Sequence, residues 1–139
     1  MAEGADADVV IMTAAVADFR PAQVADRKLK KADGVPVMEL EPTVDILAAL
    51  GAGKPDHQVL VGFAAETNDL RANAVDKLRR KGADILVAND VSAPGVGFAH
   101  DTNAVTLLGS DGSVVEVPLS SKDAIARAVL EAVGQRLPD

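Results

Sequence analysis

The residues best suited to chemistry are lysines that cluster after a predicted strand. Lys28, Lys30 and Lys31 follow the apolar run Val9–Met12 and a polar stretch. Lysine binds phosphate oxygens as a point charge and stabilises the negative charge that develops during phosphoryl or nucleotidyl transfer. A solvated surface loop explains the same cluster, because lysine side chains are mostly exposed. The cluster therefore indicates either a phosphate site or an ordinary surface.

A second pair of cations lies on a predicted helix. Lys77 and Lys81 are four residues apart, so their side chains share one helical face and point together. They could hold phosphates. Cations near the end of a helix are also favoured by the helix dipole, which is worth roughly 0.3 to 1 kcal/mol for each charge. Spacing alone leaves both explanations open.

Three further positions are candidates for a nucleotide site. Asp18 follows a strand end and is either a nucleotide or metal contact or a turn residue. A helix start at residues 44–47 presents free main-chain N–H groups, which bind anions if a ligand reaches them. Phe63 is one of only three phenylalanines in the chain, and it is either a core residue or a base-stacking residue.

Several catalytic classes lack their motifs in this sequence. It contains no G-x-G-x-x-G fingerprint, no Walker A loop and no G-x-S-x-G elbow. The chain has no cysteine, which excludes disulfides and thiolate catalysis, and its two histidines, His57 and His100, have no zinc-ligand spacing. Histidine-based acid/base catalysis is therefore not expected.

Composition predicts a soluble α/β domain. A chain of 139 residues suggests one domain, and its 48% hydrophobic content suits packed helix and sheet layers. The net charge of −7 argues against general nucleic-acid binding, because phosphate neutralisation needs a basic surface. No apolar run approaches the roughly 20 residues of a membrane span, and the acidic residues 1–8 are unlike a signal peptide. A cytoplasmic protein is expected.

The elements that would position these residues form strand, helix, strand units with parallel strands. Thr43 is expected to cap a helix over residues 44–50 that Gly51 ends, and Ser120 with Asp123 is expected to start the last helix. The remaining expectations are a loop over 18–31, strands at 9–12, 37–40, 59–64 and 85–88, a helix from Thr67 or Asn68 to Gly82, a loop over 91–103, and a hairpin of 104–108 with 114–117.

Four stretches together resemble one enzyme family. They are AAVADFRP with KLKK, VGFAAET, KLRRKGADILVAND, and an F-x-x-D-x-N-x-V-T-L-L pattern from Phe98 to Leu108. In this order they resemble the phosphopantothenoylcysteine synthetase family, also called phosphopantothenate-cysteine ligase. The resemblance covers nearly the whole chain and implies a Rossmann-like three-layer α/β sandwich with a mainly parallel sheet plus a β-hairpin.

The resemblance also implies a reaction and partners. CTP with Mg²⁺ would activate 4'-phosphopantothenate to an acyl-cytidylate, and cysteine would then displace CMP. Members are homodimers, and in many bacteria the domain is fused to a decarboxylase domain that carries FMN, so FMN is not expected in this chain. No membrane or nucleic-acid partner is implied.

Site residues follow from the resemblance by motif. Lys28 would be catalytic and bind the triphosphate, Asp18 would bind the nucleotide and its metal, and Ala14 with Ala15 would contact the acyl substrate. The remaining nucleotide contacts would be Val44, Asp45, Ile46, Leu47, Phe63, Lys77 and Lys81. Val44 stands where the family usually has proline or a polar residue, which matters little for a main-chain contact.

The family's glycine-rich opening segment and an asparagine-containing stretch have no counterpart in residues 1–139. The chain is therefore expected to be a fragment of a ligase domain that binds nucleotide without turnover. Two alternatives remain: a non-catalytic nucleotide-binding or dimerisation module, and a Rossmann oxidoreductase, which the missing glycine fingerprint disfavours.

Overall fold

The chain forms two compact units. The computed structural model describes the backbone of residues 6–30, 34–66, 70–90 and 100–137. The larger unit comprises Met1–Thr13 with Leu47–Asp139, and the smaller unit is Ala14–Ile46. The larger unit carries the main sheet, and the smaller unit carries a separate strand pair. The expectation of one α/β domain over residues 1–139 stays a prediction.

Ten elements follow one another in the part of the chain that the structure describes. They are β1 (Val9–Met12), β2 (Phe19–Pro21), β3 (Leu40–Pro42), α1 (Ile46–Gly53), β4 (Val59–Glu66), α2 (Leu70–Lys81), β5 (Ile85–Asp90), β6 (Thr102–Gly109), β7 (Val114–Ser121) and α3 (Lys122–Gly134). None of these helices has the length and apolar character needed to cross a membrane.

The larger unit is a mixed sheet of five strands in the order β1-β4-β5-β6-β7. β1, β4 and β5 are parallel, whereas β6 and β7 form an antiparallel hairpin. Alternate residues of β4 face opposite sides: Leu60 packs with the α1 and α2 layer, and Val61 packs with α3. This is the predicted Rossmann-like α/β class, with the predicted hairpin confirmed.

Local chemistry explains where α3 begins and where α2 ends. Ser121 caps α3, because its hydroxyl accepts from the N–H of Ala124 and Asp123 follows in the first turn. The expected cap, Ser120, is wrong by one residue: its hydroxyl donates to the carbonyl of Pro118 instead. Gly82 follows α2 with a φ of +61°, as expected of a glycine that ends a helix.

Four further expectations differ from the structure. Thr43 does not cap α1, because the helix begins at Ile46 and the Thr43 hydroxyl donates to the carbonyl of Ala17. Gly51 lies inside α1, where it permits a close helix contact instead of ending the helix. The stretch read as a loop over 18–31 contains β2, whose partner lies at Leu40–Pro42 and not at 37–40.

Some expectations fall outside the described residues. They concern Lys31, Thr67, Asn68, Phe98 and the loop residues 91–99. Within the described part of the expected 91–103 loop, Thr102 and Asn103 belong to β6 and pair with β7.

The turn between β6 and β7 is tied to the segment after α3. Arg136 Nη2 lies 2.9 Å from Asp111 Oδ1, and the Ser113 hydroxyl and N–H both donate to the same oxygen. These contacts lower the pKa of Asp111 below its ordinary value of 3.8; the Ser113 hydroxyl is the largest cause, followed by the Ser113 N–H, and the Arg136 charge acts in the same direction.

This lowered pKa predicts a pH-dependent contribution to stability. The Asp111 carboxylate stabilises the fold above its unfolded-state pKa, and the contribution is lost as pH falls through the lower folded-state value. We expect Asp111→Asn to reduce the urea midpoint near neutral pH and to approach the wild type as the pH falls through the lowered folded-state pKa of Asp111. Urea unfolding from acidic to neutral pH measures this. A midpoint difference that stays constant over that range would contradict it.

Candidate functional site

The smaller unit brings together two predicted nucleotide contacts that are distant in sequence. The antiparallel pair β2 and β3 forms a stem, and the N–H of Thr43 donates to the carbonyl of Asp18 at 2.9 Å. The chain then passes directly into Val44 and Asp45, which lead into α1. The stem therefore places Asp18 beside the residues that precede the first turn of α1.

The described residues between the two strands of the stem, 22–30 and 34–39, are exposed, and they are referred to as the arm. Lys28 and Lys30 are exposed on it, which leaves both amino groups accessible to an anion. The arm also exposes apolar side chains, among them Val24 at 88% and Val37 at 92%. Ala14 and Ala15 lie in the exposed segment between β1 and β2.

In the larger unit, α1 and α2 meet at their C-terminal ends with little space between their backbones. A Cβ on Gly51 would lie 2.0 Å from the carbonyl oxygen of Lys81. Both helices run back along parallel strands, from their carboxyl ends to their amino ends, so α1 and α2 point the same way. About one turn before this contact, Leu47 of α1 and Leu78 of α2 belong to the same buried cluster, and Lys77 precedes Leu78.

The sheet beneath α1 contains small residues among larger apolar ones such as Leu60 and Leu86. Leu47 covers Gly62, where a Cβ would lie 2.5 Å from a Leu47 methyl group. Ala64 and Ala88 continue this side of the sheet toward the carboxyl ends of β4 and β5. The structure thus groups the start of α1, Lys77 and small strand residues on one side of the sheet.

Phe63 is not part of that group. Side chains alternate along a strand, so Phe63 shares the side of Val59 and Val61, which α3 covers, and not the side of α1 and α2. Its side chain is 38% exposed. β1 pairs with β4 only as far as Met12 opposite Gly62. From Phe63 onward β4 pairs with β5 alone among the described strands, so its other edge is unpaired there.

Lys81 is placed differently from Lys77. It ends α2 at the amino edge of the sheet, where Asp84 begins to pair with Leu60 of β4. Arg79 and Arg80 occupy the same last turn, so α2 ends in a cluster of positive charge. Favourable interaction with the helix dipole accounts for this cluster without a ligand. Lys77 is therefore the better candidate of the two for a contact near the start of α1.

Asp18 suits a metal that arrives with the nucleotide. No group of three or more potential metal ligands occurs in the part of the chain that the structure describes. Magnesium bound to nucleotides commonly uses one or two carboxylates together with phosphate oxygens. The exposed carboxylate of Asp18, beside the start of a helix, fits a metal held mainly through a triphosphate.

This architecture defines a Rossmann-like α/β protein with a basic, exposed arm. A model of the family described as the DNA/pantothenate metabolism flavoprotein C-terminal domain matches residues 1–137. The chain belongs to this family. The match confirms the resemblance that the motifs indicated.

Curated relatives agree with this assignment. The chain is 51% identical over 126 residues to the coenzyme A biosynthesis bifunctional protein CoaBC of Bacillus subtilis, covering 91% of this chain and 31% of that protein. It is 43% identical over 137 residues to the CoaBC protein of Mycobacterium tuberculosis, covering 91% of this chain and 32% of that protein. The chain thus spans about a third of the length of these relatives.

Solved structures share the fold. A crystal structure of the C-terminal domain of CoaBC superimposes with a TM-score of 0.71 at 44% identity, covering 92% of this chain and 54% of that one. A complex of the protein Cab2 with phosphopantothenate-cysteine has a TM-score of 0.68 at 19% identity, covering 92% of this chain and 44% of that one. The second likeness shows a common fold.

Proposed function

We propose that this chain supplies the nucleotide-binding part of a CTP-dependent phosphopantothenate-cysteine ligase. The observation that carries the proposal is the stem, which holds Asp18 against Thr43 and thereby beside the start of α1. The relatives named as coenzyme A biosynthesis proteins support the reaction, and the motif resemblance supports the choice of CTP.

Each residue group has a role in this reaction. The first turn of α1 donates main-chain N–H groups to phosphate oxygens, and Lys77 on the adjacent helix adds a positive charge. Lys28, on the exposed arm, neutralises charge that develops on the triphosphate. Ala14 and Ala15 leave space for the acyl substrate because their side chains are small.

The chemistry proceeds in two displacements. The phosphopantothenate carboxylate attacks the α-phosphorus of CTP, forming the acyl-cytidylate, and pyrophosphate leaves. The amine of cysteine then attacks the acyl carbon, an amide bond forms, CMP leaves and the amine loses a proton. Magnesium would be held by Asp18 together with the triphosphate and would supply further charge neutralisation. The chain is proposed to act in the cytoplasm as a homodimer, fused to or associated with an FMN-dependent decarboxylase.

Calorimetric titration of the isolated chain tests the proposed ligand. We expect saturable binding of CTP in the presence of Mg²⁺ and no binding of NADPH, because the sequence has no dinucleotide fingerprint. We also expect no release of pyrophosphate when phosphopantothenate is added to this chain alone.

Two outcomes of the titration would contradict the proposal, and one result with a complete ligase would favour its alternative. Absence of CTP binding would remove the proposed ligand, and binding of NADPH instead would favour an oxidoreductase. CTP binding without any Lys28 dependence of turnover in a complete ligase would favour the alternative, a non-catalytic nucleotide-binding or dimerisation module. The exposed apolar residues of the arm are the observation that keeps this alternative open.

A further inference from the structure

An ion pair closes the stem formed by β2 and β3. Arg20 and Glu41 are directly opposite in the antiparallel register, and Arg20 Nε lies 2.7 Å from Glu41 Oε1. We propose that these two are positioning residues for nucleotide binding, because their ion pair holds the stem closed and the closed stem keeps Asp18 beside the start of α1. This inference rests on the proposed function and adds a role that the motifs do not assign.

The stem has few main-chain hydrogen bonds to hold it. Outside the two strands, the Thr43 N–H donates to Asp18 and the Ala22 N–H donates to Glu39, each at 2.9 Å. The Arg20 and Glu41 pair lies midway between these two bonds. A two-stranded ribbon of this length is marginally stable by itself. A side-chain contact at its centre therefore changes the fraction of molecules in which the stem is closed.

Two prolines keep other strands from stabilising the stem at the flanking positions. Pro21 and Pro42 occupy the positions on either side of the central pair, where the antiparallel pattern directs main-chain groups outward. Proline has no N–H to offer there, so a neighbouring strand cannot pair at these positions. The stem consequently depends on its own contacts, which include the central ion pair.

Closure of the stem also sets the base of the arm that carries Lys28. The two legs of the arm enclose an open groove of about 510 Å³, lined among others by Val24, Leu29 and Val37. Opening the stem separates the legs and moves Asp18 away from Thr43 at the same time. Apparent affinity falls in proportion to the fraction of closed molecules, because only the closed form presents both nucleotide contacts.

Charge reversal tests the pair in the complete 139-residue chain. We expect Arg20→Glu and Glu41→Arg each to raise the Kd for CTP with Mg²⁺ by about 5- to 10-fold, since like charges directly opposite one another disfavour closure. The double variant, which restores opposite charges, should bind within about 2-fold of the wild type. Restored binding in the double variant would identify the ion pair as the cause. If either side chain mattered for another reason, the second substitution would not restore binding.

A matched control is available on α3. Arg127→Glu breaks an ion pair with Asp123 that is 3.2 Å long and also exposed, and it should leave CTP binding unchanged. Urea unfolding should show the same transition of the larger unit for the stem variants and the wild type. The residues Arg127 and Asp123 have no part in the proposed site.

A redox switch gives a second, independent measurement. The chain has no native cysteine, and opposite residues of an antiparallel pair lie within the Cα distances that a disulfide spans. The double variant Arg20→Cys with Glu41→Cys should bind CTP like the wild type when oxidised and about 5- to 10-fold more weakly when reduced. Equal affinity in both states would overturn the proposal.

The outcomes separate this inference from the function on which it rests. If the wild type binds no CTP, the proposed function fails and this inference fails with it. If the wild type binds CTP and both charge reversals bind equally well, the positioning role alone is overturned. Single reversals that weaken binding without recovery in the double variant also overturn it, because the ion pair would then not be the cause.

Discussion

Replacing Lys28 with alanine should reduce the rate of acyl-cytidylate formation by about 100- to 1000-fold, the range measured when one preorganised donor to developing charge is removed. Lys28 is exposed on the arm, so its removal leaves the packing of the sheet intact. The effect should fall on kcat more than on the Kd for CTP, because the charge that Lys28 neutralises grows as pyrophosphate departs.

The measurement is pyrophosphate release from CTP and phosphopantothenate, in a full-length ligase that contains this chain. Lys30→Ala is the matched control, because it removes the same charge two residues away on the same exposed arm. We expect a much smaller loss from Lys30→Ala. Equal losses in the two variants would show that the arm contributes only a general positive field, and little change in either would favour a non-catalytic module.

Much of the larger unit could be predicted because its local signals agree with one another. The apolar runs of β4 and β5 have the length and β-branched content of buried parallel strands. The pair Asp111 and Gly112 marked the turn of the β6 and β7 hairpin, and Gly112 has the positive φ of 86° that such a turn needs. Hydrophobic periodicity and turn chemistry thus gave the same topology.

The smaller unit could not be predicted because its strands are short and lack an apolar alternation. β2 and β3 contain three residues each, and one of every three is proline. Their pairing depends on a long-range contact between Arg20 and Glu41, which are 21 positions apart. No sequence pattern distinguishes a charge pair at that separation from the acidic and basic residues of the neighbouring arm.

The positions of the site residues were likewise predicted only in part. Residues 44–47 were expected at a helix start, but α1 begins only at Ile46, and Thr43 bonds to Ala17 and does not cap the helix. Alternation along β4 places Phe63 on the opposite side of the sheet from Lys77 only once the packing of α2 is known. The sequence alone did not show which side of the sheet α2 covers. The roles assigned to these residues stay predictions.

Gly51→Ala should destabilise the larger unit by about 2 to 4 kcal/mol, at or above the upper end of the usual cost of overpacking. The new methyl group would lie 2.0 Å from the Lys81 carbonyl oxygen and 2.9 Å from its carbonyl carbon, and both are main-chain atoms that cannot rotate away. The C-terminal ends of the two helices must therefore move apart, or the main chain around Lys81 must shift.

Gly53→Ala is the matched control for this prediction, since Gly53 lies on the same helix and an added Cβ there meets nothing within 4 Å. Alanine is the better helix former, so Gly53→Ala should be neutral or should stabilise the chain by up to about 1 kcal/mol. Urea unfolding of both variants measures the difference. If the two glycines tolerate alanine equally well, the main chains of α1 and α2 do not meet at Gly51.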